Sequence, residues 1–231
     1  MIGFKKIFVV TILSVLSVNS ANAGELEDKC AEIYMYNEPE VTITYNYGQL
    51  KYDNSKTDEE LKSLYSQVNP GGSVKNIQGL TYLEPSVTTG VSDIKLEMLD
   101  SEHFCFYPTK IDIKVRYNPT VYIINTLQPE TCRFNVTVRH EQTHLDLGHH
   151  ALFLFAKSLR EAMPDILSST DPVVENVSSA NSARVLQDMT NAYHEKVKTY
   201  FEVFKNNLIK YNNLIDTPSN YIDETKLCQS N

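Results

Sequence analysis

Two histidines and a glutamate, spaced as on one face of a helix, stand out in this chain as residues able to do chemistry. The stretch from His140 to His144 reads His-Glu-Gln-Thr-His, which puts the two histidines four positions apart. On a helix this spacing brings both imidazole rings to one face, close enough to share a tetrahedral Zn²⁺ ion. Glu141 follows the first histidine and can act as general base on a water molecule activated by the ion. The three residues therefore predict metal-assisted hydrolysis.

The same five residues resemble the motif of the zincin metallopeptidases, which they match at His140, Glu141 and His144. The resemblance implies that these residues are the first zinc ligand, the general base and the second zinc ligand. The architecture and the stretch at residues 132–145 also resemble a family of short, exported bacterial proteins predicted to be zinc-dependent proteases. This second resemblance implies a β-rich N-terminal half joined to a long helix with the motif, one Zn²⁺ ion, and a peptide or protein substrate.

A zinc ion that keeps one position for water needs a third protein ligand, and His150 is one candidate. Its distance from His140 is that of the longer metzincin motif, but Leu147 stands where that motif has glycine. On an unbroken helix, His150 would also point about 80–100° away from the face that carries His140 and His144.

Two further candidates follow from a predicted pairing of two long helices. If these helices form an antiparallel hairpin that turns near residues 167–168, His140 faces residue 195. His194 then lies beside the motif on a partly apolar face, with Glu195 next to it on a charged stripe. We favour His194 as the third zinc ligand and keep His150 and Glu195 as alternatives.

The hydrophobic pattern changes near residue 128 and divides the predicted fold into a β-rich half and a helical half. In the first half, Ile111, Ile113 and Val115 alternate with charged residues, as expected for a strand with one buried face. A capping box at residues 57–60 indicates the start of a short helix in the same half.

After residue 128, hydrophobic residues recur with helical spacing. One helix is expected over about residues 132–162, ended by Pro164, and a second over about residues 171–214. The sequence thus predicts an α+β fold, in which an N-terminal antiparallel β-sheet with a short helix precedes a long antiparallel two-helix hairpin that carries the motif. The last strand, residues 121–125, is expected at a sheet edge, where it could bind an extended peptide.

The N-terminus has the pattern of a secretory signal peptide over residues 1–23. Lys5 and Lys6 precede an apolar stretch at residues 7–18, and Ala21-Asn22-Ala23 follows as a small-residue cleavage site. Residues 24–231 are expected to form a single zincin-like domain, monomeric, secreted or periplasmic, and without a membrane-spanning segment. Loss of the two lysines moves the formal charge from −8 to −10. A chain this acidic is a poor candidate for nucleic-acid binding.

Four cysteines remain after removal of the signal peptide, and an even number in an exported chain predicts two disulfides. Three pairings are possible. We favour Cys105 with Cys132 and Cys30 with Cys228. The first bond would link a strand to the start of the motif helix, and the second would link the two ends of the mature chain.

Two other functions fit the same residues. The chain could be a secreted metal-binding or protein-interaction module with a degenerate motif and no catalytic activity. It could also hold a purely structural zinc ion, in which case a fourth protein ligand would close the coordination sphere. Geometry distinguishes the three cases, because only a catalytic site combines three ligands, an open position and a nearby Glu141.

Overall fold

A computed structural model of the chain describes residues 18–69 and 77–229. Most of the predicted signal peptide lies outside these ranges. The described residues form five helices and five strands. In chain order they are α1 (Val18–Tyr36), β1 (Glu40–Tyr47), β2 (Lys51–Asp53), α2 (Asp58–Val68), β3 (Gly79–Met98), β4 (His103–Ile123), α3 (Cys132–Ser168), β5 (Val173–Glu175), α4 (Ser182–Ile215) and α5 (Pro218–Lys226).

Threonine side chains begin three of the helices. The capping box predicted for α2 is confirmed, because Thr57 accepts from the backbone N–H of Glu60 while the Glu60 carboxylate accepts from the backbone of Thr57. Thr131 caps α3 and Thr217 caps α5, each through its side-chain oxygen. The predicted start of α3 at Cys132 is therefore correct, and a local hydrogen bond explains it.

β4 lies at the centre of a five-stranded sheet and pairs with the other four strands. β2 runs parallel to it, with Lys51 opposite Thr120. β1 is also parallel to β4. The N–H of Gly48, just after β1, donates to the carbonyl oxygen of Tyr117 at 2.7 Å. Gly48 and Tyr117 differ by 69 in number, as do Lys51 and Thr120, so the same parallel register continues. β5 pairs with β4 in antiparallel register.

The predicted antiparallel N-terminal sheet is therefore wrong. The alternation over β4 is real, since Ile111, Ile113 and Val115 are all buried. Alternation identifies the buried face of a strand, but it does not identify the direction of the neighbouring strand. The edge position expected for residues 121–125 is also wrong, because β4 is central and Val121 is fully buried.

The predicted two-helix hairpin is wrong as well. α3 continues to Ser168 with Pro164 inside it, although we expected the helix to end there. The segment expected to begin the second helix forms β5, and α4 begins only at Ser182. A further helix, α5, follows α4 near the C-terminus. Asp171-Pro172 has the composition of a helix start, but pairing with β4 decides the conformation of the residues that follow it.

α3 and α4 contact each other in a different register from the one predicted. Three side-chain contacts join α3 to α4 or to the residue that follows α4, and in each the two residue numbers add up to 356: His140 with Asp216, His144 with Asn212, and Phe155 with Phe201. The predicted hairpin required a sum of about 335. Because α3 is longer and β5 intervenes, the partner of His140 is residue 216 and not residue 195.

The chain divides into two compact units that interleave along the sequence, and their boundaries do not follow residue 128. Unit 1 comprises residues up to Glu40, Ser92–Lys110 and Asp171–Gln187. Unit 2 comprises Val41–Val91, Ile111–Thr170 and Asp188–Asn231. The whole of the motif helix α3 lies in unit 2.

Unit 1 is organised around a disulfide between Cys30 of α1 and Cys105 of β4. Both cysteines are buried together with Tyr107, and Ile33 and Val173 pack against them. In unit 2, Phe134, Val138 and Leu145 of α3 pack against Val121 and Ile123 of β4. That packing fixes the rotation of α3 and hence the direction in which the motif residues point.

The second disulfide joins Cys132, the first residue of α3, to Cys228, just after α5. Two disulfides are confirmed, but both predicted pairings are wrong, because the positions of cysteines in the sequence do not determine which of them meet in the fold. Two disulfides indicate an oxidising environment. No helix within residues 18–69 and 77–229 is long and apolar enough to cross a membrane.

Candidate metal centre

The two motif histidines lie side by side on one face of α3, as their spacing predicts. Only 5% of the surface of His140 and 6% of that of His144 is exposed. Their ring centroids are 4.9 Å apart, and their Nε2 atoms approach to 3.2 Å. The rings therefore turn the same nitrogen toward a common point.

Asp216, between α4 and α5, supplies a third atom at this point. Its Oδ1 lies 3.1 Å from Nε2 of His140 and 3.0 Å from Nε2 of His144. His140, His144 and Asp216 form a group whose ligand atoms could hold a metal ion. Within residues 18–69 and 77–229 no fourth His, Cys, Asp or Glu joins this group.

The outer nitrogens of both rings have partners that determine where the ring proton sits. Nδ1 of His140 lies 3.0 Å from the Glu224 carboxylate, and Nδ1 of His144 lies 3.0 Å from the side-chain oxygen of Asn212. These oxygens can only accept hydrogen bonds, so each Nδ1 donates a proton. In the neutral rings, each Nε2 then carries a lone pair directed at the common point.

The distances among the three inner atoms fit a shared cation. Zinc binds imidazole nitrogen and carboxylate oxygen at about 2.0–2.1 Å, which gives a tetrahedral edge of about 3.3–3.4 Å. The observed edges are 3.0, 3.1 and 3.2 Å. Three lone-pair atoms held this close in a buried site repel one another unless a proton or a metal ion lies between them.

Charges around the site favour positive charge at its centre. Burial alone would lower the pKa of His140, but the hydrogen bond to Asp216 and the charges of Glu141 and Glu224 raise it to about 9. The pKa of His144 is raised against the same burial effect, mainly by its hydrogen bond to Asp216. Despite burial, hydrogen bonds from both histidines hold the pKa of Asp216 well below its usual range. A bound metal cation could supply this positive charge in place of the protons on His140 and His144.

Glu141 is buried next to the histidines and is held by β3. The hydroxyl of Thr81 lies 2.8 Å from its Oε2, and a Cβ on Gly79 would fall only 2.5 Å from its Oε1. The carboxylate therefore occupies space that only a glycine at residue 79 leaves open. Burial raises the pKa of Glu141, although the positive charges of His144 and His140 oppose this.

The ligand group and Glu141 line one cavity of about 710 Å³. Residues 79–85 of β3 form one wall, and residues from α2, α4 and α5 complete it. Tyr221 of α5 also lines the cavity, where its hydroxyl donates to Oδ1 of Asp216 at 2.9 Å and its ring stacks on His140. A molecule in this cavity would reach both the Glu141 carboxylate and the three atoms that could bind a metal ion.

Of the predicted site residues, the structure brings together His140, Glu141 and His144. His194 lies outside the group, with its Nδ1 3.4 Å from the hydroxyl of Thr89. Asp216 takes the place that we had given to His194.

The other two alternatives are exposed on their helices and lie outside the group too. His150 points away from the motif face of α3, and Glu195 forms an ion pair with Lys198. Sequence reasoning missed Asp216 because its pairing depends on the true register of the helices. The signal available was Asp216-Thr217-Pro218, a carboxylate at the junction between two helices.

No protein-family model, no curated protein and no solved structure matches this chain. The comparisons therefore add nothing to the resemblance carried by residues 140–144. The geometry of unit 2 is therefore the main indication of a function for this chain.

Proposed function

We propose that this chain is a zinc-dependent hydrolase that cleaves peptide bonds in a secreted or periplasmic setting. His140, His144 and Asp216 would hold the ion, and Glu141 would act as general base. The observation that carries this proposal is the convergence of three lone-pair atoms within 3.2 Å of one another, together with Glu141 in the same cavity.

The residues of the chain divide the chemistry between them. A bound Zn²⁺ ion supplies a Lewis acid and makes water a stronger nucleophile at neutral pH. Glu141 would take the proton of the nucleophilic water and would pass it to the leaving amine of the cleaved peptide bond. Thr81 keeps the Glu141 carboxylate in place through its hydrogen bond. Because burial raises the pKa of Glu141, its carboxylate accepts a proton more readily than an exposed carboxylate would.

A peptide substrate is supported by the position of β3. Residues 79–85 line the cavity, and among the described strands β3 pairs only with β4. Its other edge can offer backbone donors and acceptors to an extended chain, as in strand addition to a sheet. β3 therefore replaces residues 121–125 as the proposed substrate-binding strand.

A catalytic role is favoured over a structural one because the ligand group has three members in the described part of the chain. Structural zinc sites are closed by four protein ligands, whereas catalytic sites keep one position open. The buried carboxylate of Glu141 also favours catalysis, because a structural zinc site does not require a buried carboxylate that is not a ligand.

The test combines metal content with cleavage of a peptide library by the purified protein. We expect the wild type to retain about one zinc per chain and Glu141→Gln to retain zinc with activity lower by about 10²–10⁴-fold. Glu195→Gln is the matched control, because this exposed glutamate lies outside the cavity, and it should cleave like the wild type.

Each other outcome has a definite meaning. Equal activity of the wild type and Glu141→Gln would exclude Glu141 as the base. A protein that binds no zinc would contradict the metal site itself. Zinc binding without cleavage of any library member would favour the non-catalytic metal-binding module.

A further inference from the structure

Three residues that surround the motif histidines come from one short segment near the C-terminus. Residues 216–228, here called the C-terminal segment, contain Asp216, whose carboxylate completes the ligand group. They also contain Glu224, which bonds Nδ1 of His140, and Tyr221, which covers the His140 ring. The segment ends at Cys228, which lines the same cavity. Loss of its position would disturb the ligands of α3 even if α3 itself stayed folded.

Apolar packing does little to hold this segment. From Ser219 to Gln229 no side chain is buried, and Ile222 and Leu227 are about half exposed. α5 is nine residues long, which is too short for a stable helix without tertiary support. α5 is supported by polar contacts at the metal centre, by the ring of Tyr221 on His140 and by the covalent bond just after its last residue.

That covalent bond is the Cys132–Cys228 disulfide. Cys132 is the first residue of α3, about 12 Å along the helix from His140 at 1.5 Å per residue. The bond ties the end of the C-terminal segment to the helix that carries both histidines. The bond joins residues 96 positions apart, and without it α5 would be linked covalently to the rest of the folded chain only at its N-terminal end, through Asp216 and Thr217.

We propose that the Cys132–Cys228 disulfide controls the affinity of the metal centre, with Glu224 as the positioning residue through which it acts. This inference rests on the proposed metal site. Reduction by a dithiol breaks the S–S bond, transfers two electrons and two protons to give two thiols, and converts the dithiol to its own disulfide. The freed segment then no longer holds Glu224 against His140, and the chain binds its metal ion firmly only after oxidation.

The experiment measures the affinity for Zn²⁺ by competition with a chromophoric chelator. Serine variants are used because free thiols would themselves bind zinc. We expect Cys132→Ser/Cys228→Ser to bind zinc about 10–100-fold more weakly than the wild type, the effect typical of lost support around a ligand. Cys30→Ser/Cys105→Ser is the matched control, since that disulfide belongs to unit 1, and it should keep wild-type affinity.

Glu224 is tested separately with the disulfide intact. Glu224→Ala should weaken zinc binding about 10-fold or more, whereas Glu224→Gln keeps an oxygen acceptor for Nδ1 and should restore most of the affinity. Asp223→Ala is the control on the same helix, because Asp223 is exposed and its ion pair is with Lys226 and not with the metal centre.

The results separate this inference from the proposed function. A wild type that binds no zinc contradicts the metal site, and the inference with it. A wild type that binds zinc, with equal affinity in Cys132→Ser/Cys228→Ser, overturns only the inference. If that variant fails to fold, wild-type affinity in Glu224→Ala overturns it instead.

Discussion

Each unit of this protein contains a histidine between two carboxylates and one disulfide, but the two arrangements differ in what they can do. In unit 1, His103 lies 2.8 Å from Asp100 and 3.7 Å from Glu175. In unit 2, His140 lies 3.1 Å from Asp216 and 3.0 Å from Glu224. Contact between a histidine and two acids is therefore common to both units.

Burial and a second histidine separate the two arrangements. The side chain of His103 is 25% exposed, against 5% for His140, and its acidic partners are more exposed still. The hydrogen bond to Asp100 raises the pKa of His103, and the pair behaves as a surface ion pair. In unit 2, His144 turns a second Nε2 toward the carboxylate of Asp216. Convergence of lone pairs in a buried place, and not the presence of His and Asp together, marks the candidate metal centre.

Replacement of the central carboxylate should give the largest difference between the units. We expect Asp216→Asn to weaken zinc binding by more than about 100-fold, because it removes a charged ligand and not only a supporting group. Asp100→Asn in unit 1 should bind zinc as the wild type does. Calorimetric titration of both variants measures this, and equal loss in the two variants would contradict the contrast between the units.

The motif helix packs so tightly at Gly148 that we expect replacement of this glycine by alanine to destabilise the protein, whereas such a change usually stabilises a helix. Replacement of a glycine inside a helix by alanine normally raises the free energy of unfolding by about 1 kcal/mol. At Gly148 a Cβ would collide with the hydroxyl of Tyr117, a fully buried residue. We therefore expect Gly148→Ala to lower the free energy of unfolding by about 1–3 kcal/mol, measured by urea denaturation.

Two further variants isolate the cause of that loss. Gly90→Ala on β3 meets only a backbone oxygen at 3.8 Å, so no collision opposes it. Tyr117→Phe removes the atom nearest to the new methyl group, and no described residue hydrogen-bonds this hydroxyl. The double variant Gly148→Ala/Tyr117→Phe should regain part of the lost stability. If the effects of the two single changes on the free energy of unfolding simply add up in the double variant, the collision is not the cause of the lost stability.

The smallest expected effect concerns the exposed pair of unit 1. In the wild type, NMR titration should give His103 a pKa above its ordinary value of about 6.5, and Asp100→Asn should lower it. Because the folded-state pKa is raised, the stabilisation by this pair is present below about pH 6.5 and is lost as the pH rises through the folded-state value. An unchanged titration in Asp100→Asn would show that Asp100 is not the cause.

Local sequence patterns predicted part of the fold and three residues of the candidate site, His140, Glu141 and His144. The start of α3 at Cys132, the capping box of α2 and the alternation over Ile111, Ile113 and Val115 are confirmed. His140 and His144 share one face of α3, with Glu141 buried beside them. Each of these features depends on residues within one or two helical turns, where spacing alone decides which side chains meet.

Apart from the end of α3, which we expected at Pro164, the features that were predicted wrongly depend on residues far apart in the chain. The direction of β2, the pairing of the four cysteines and the register of α3 against α4 cannot be read from spacing. The error in register is instructive, because the pairing rule was sound and only the position of the connection was wrong. Pairing of β5 with β4 moved the start of α4 and brought Asp216, 76 positions from His140, into the place expected for His194.

The sequence by itself determined one element of this protein, a helix whose inner face presents two histidines and a glutamate. It did so because helical geometry is local and strongly periodic. The tertiary structure alone decided the rest of the centre: Asp216 as third ligand atom, Asn212 and Glu224 behind the rings, and the disulfide that ties the C-terminal segment to α3. These partners come together because packing of the sheet and helices, and not sequence distance, sets which distant residues are neighbours.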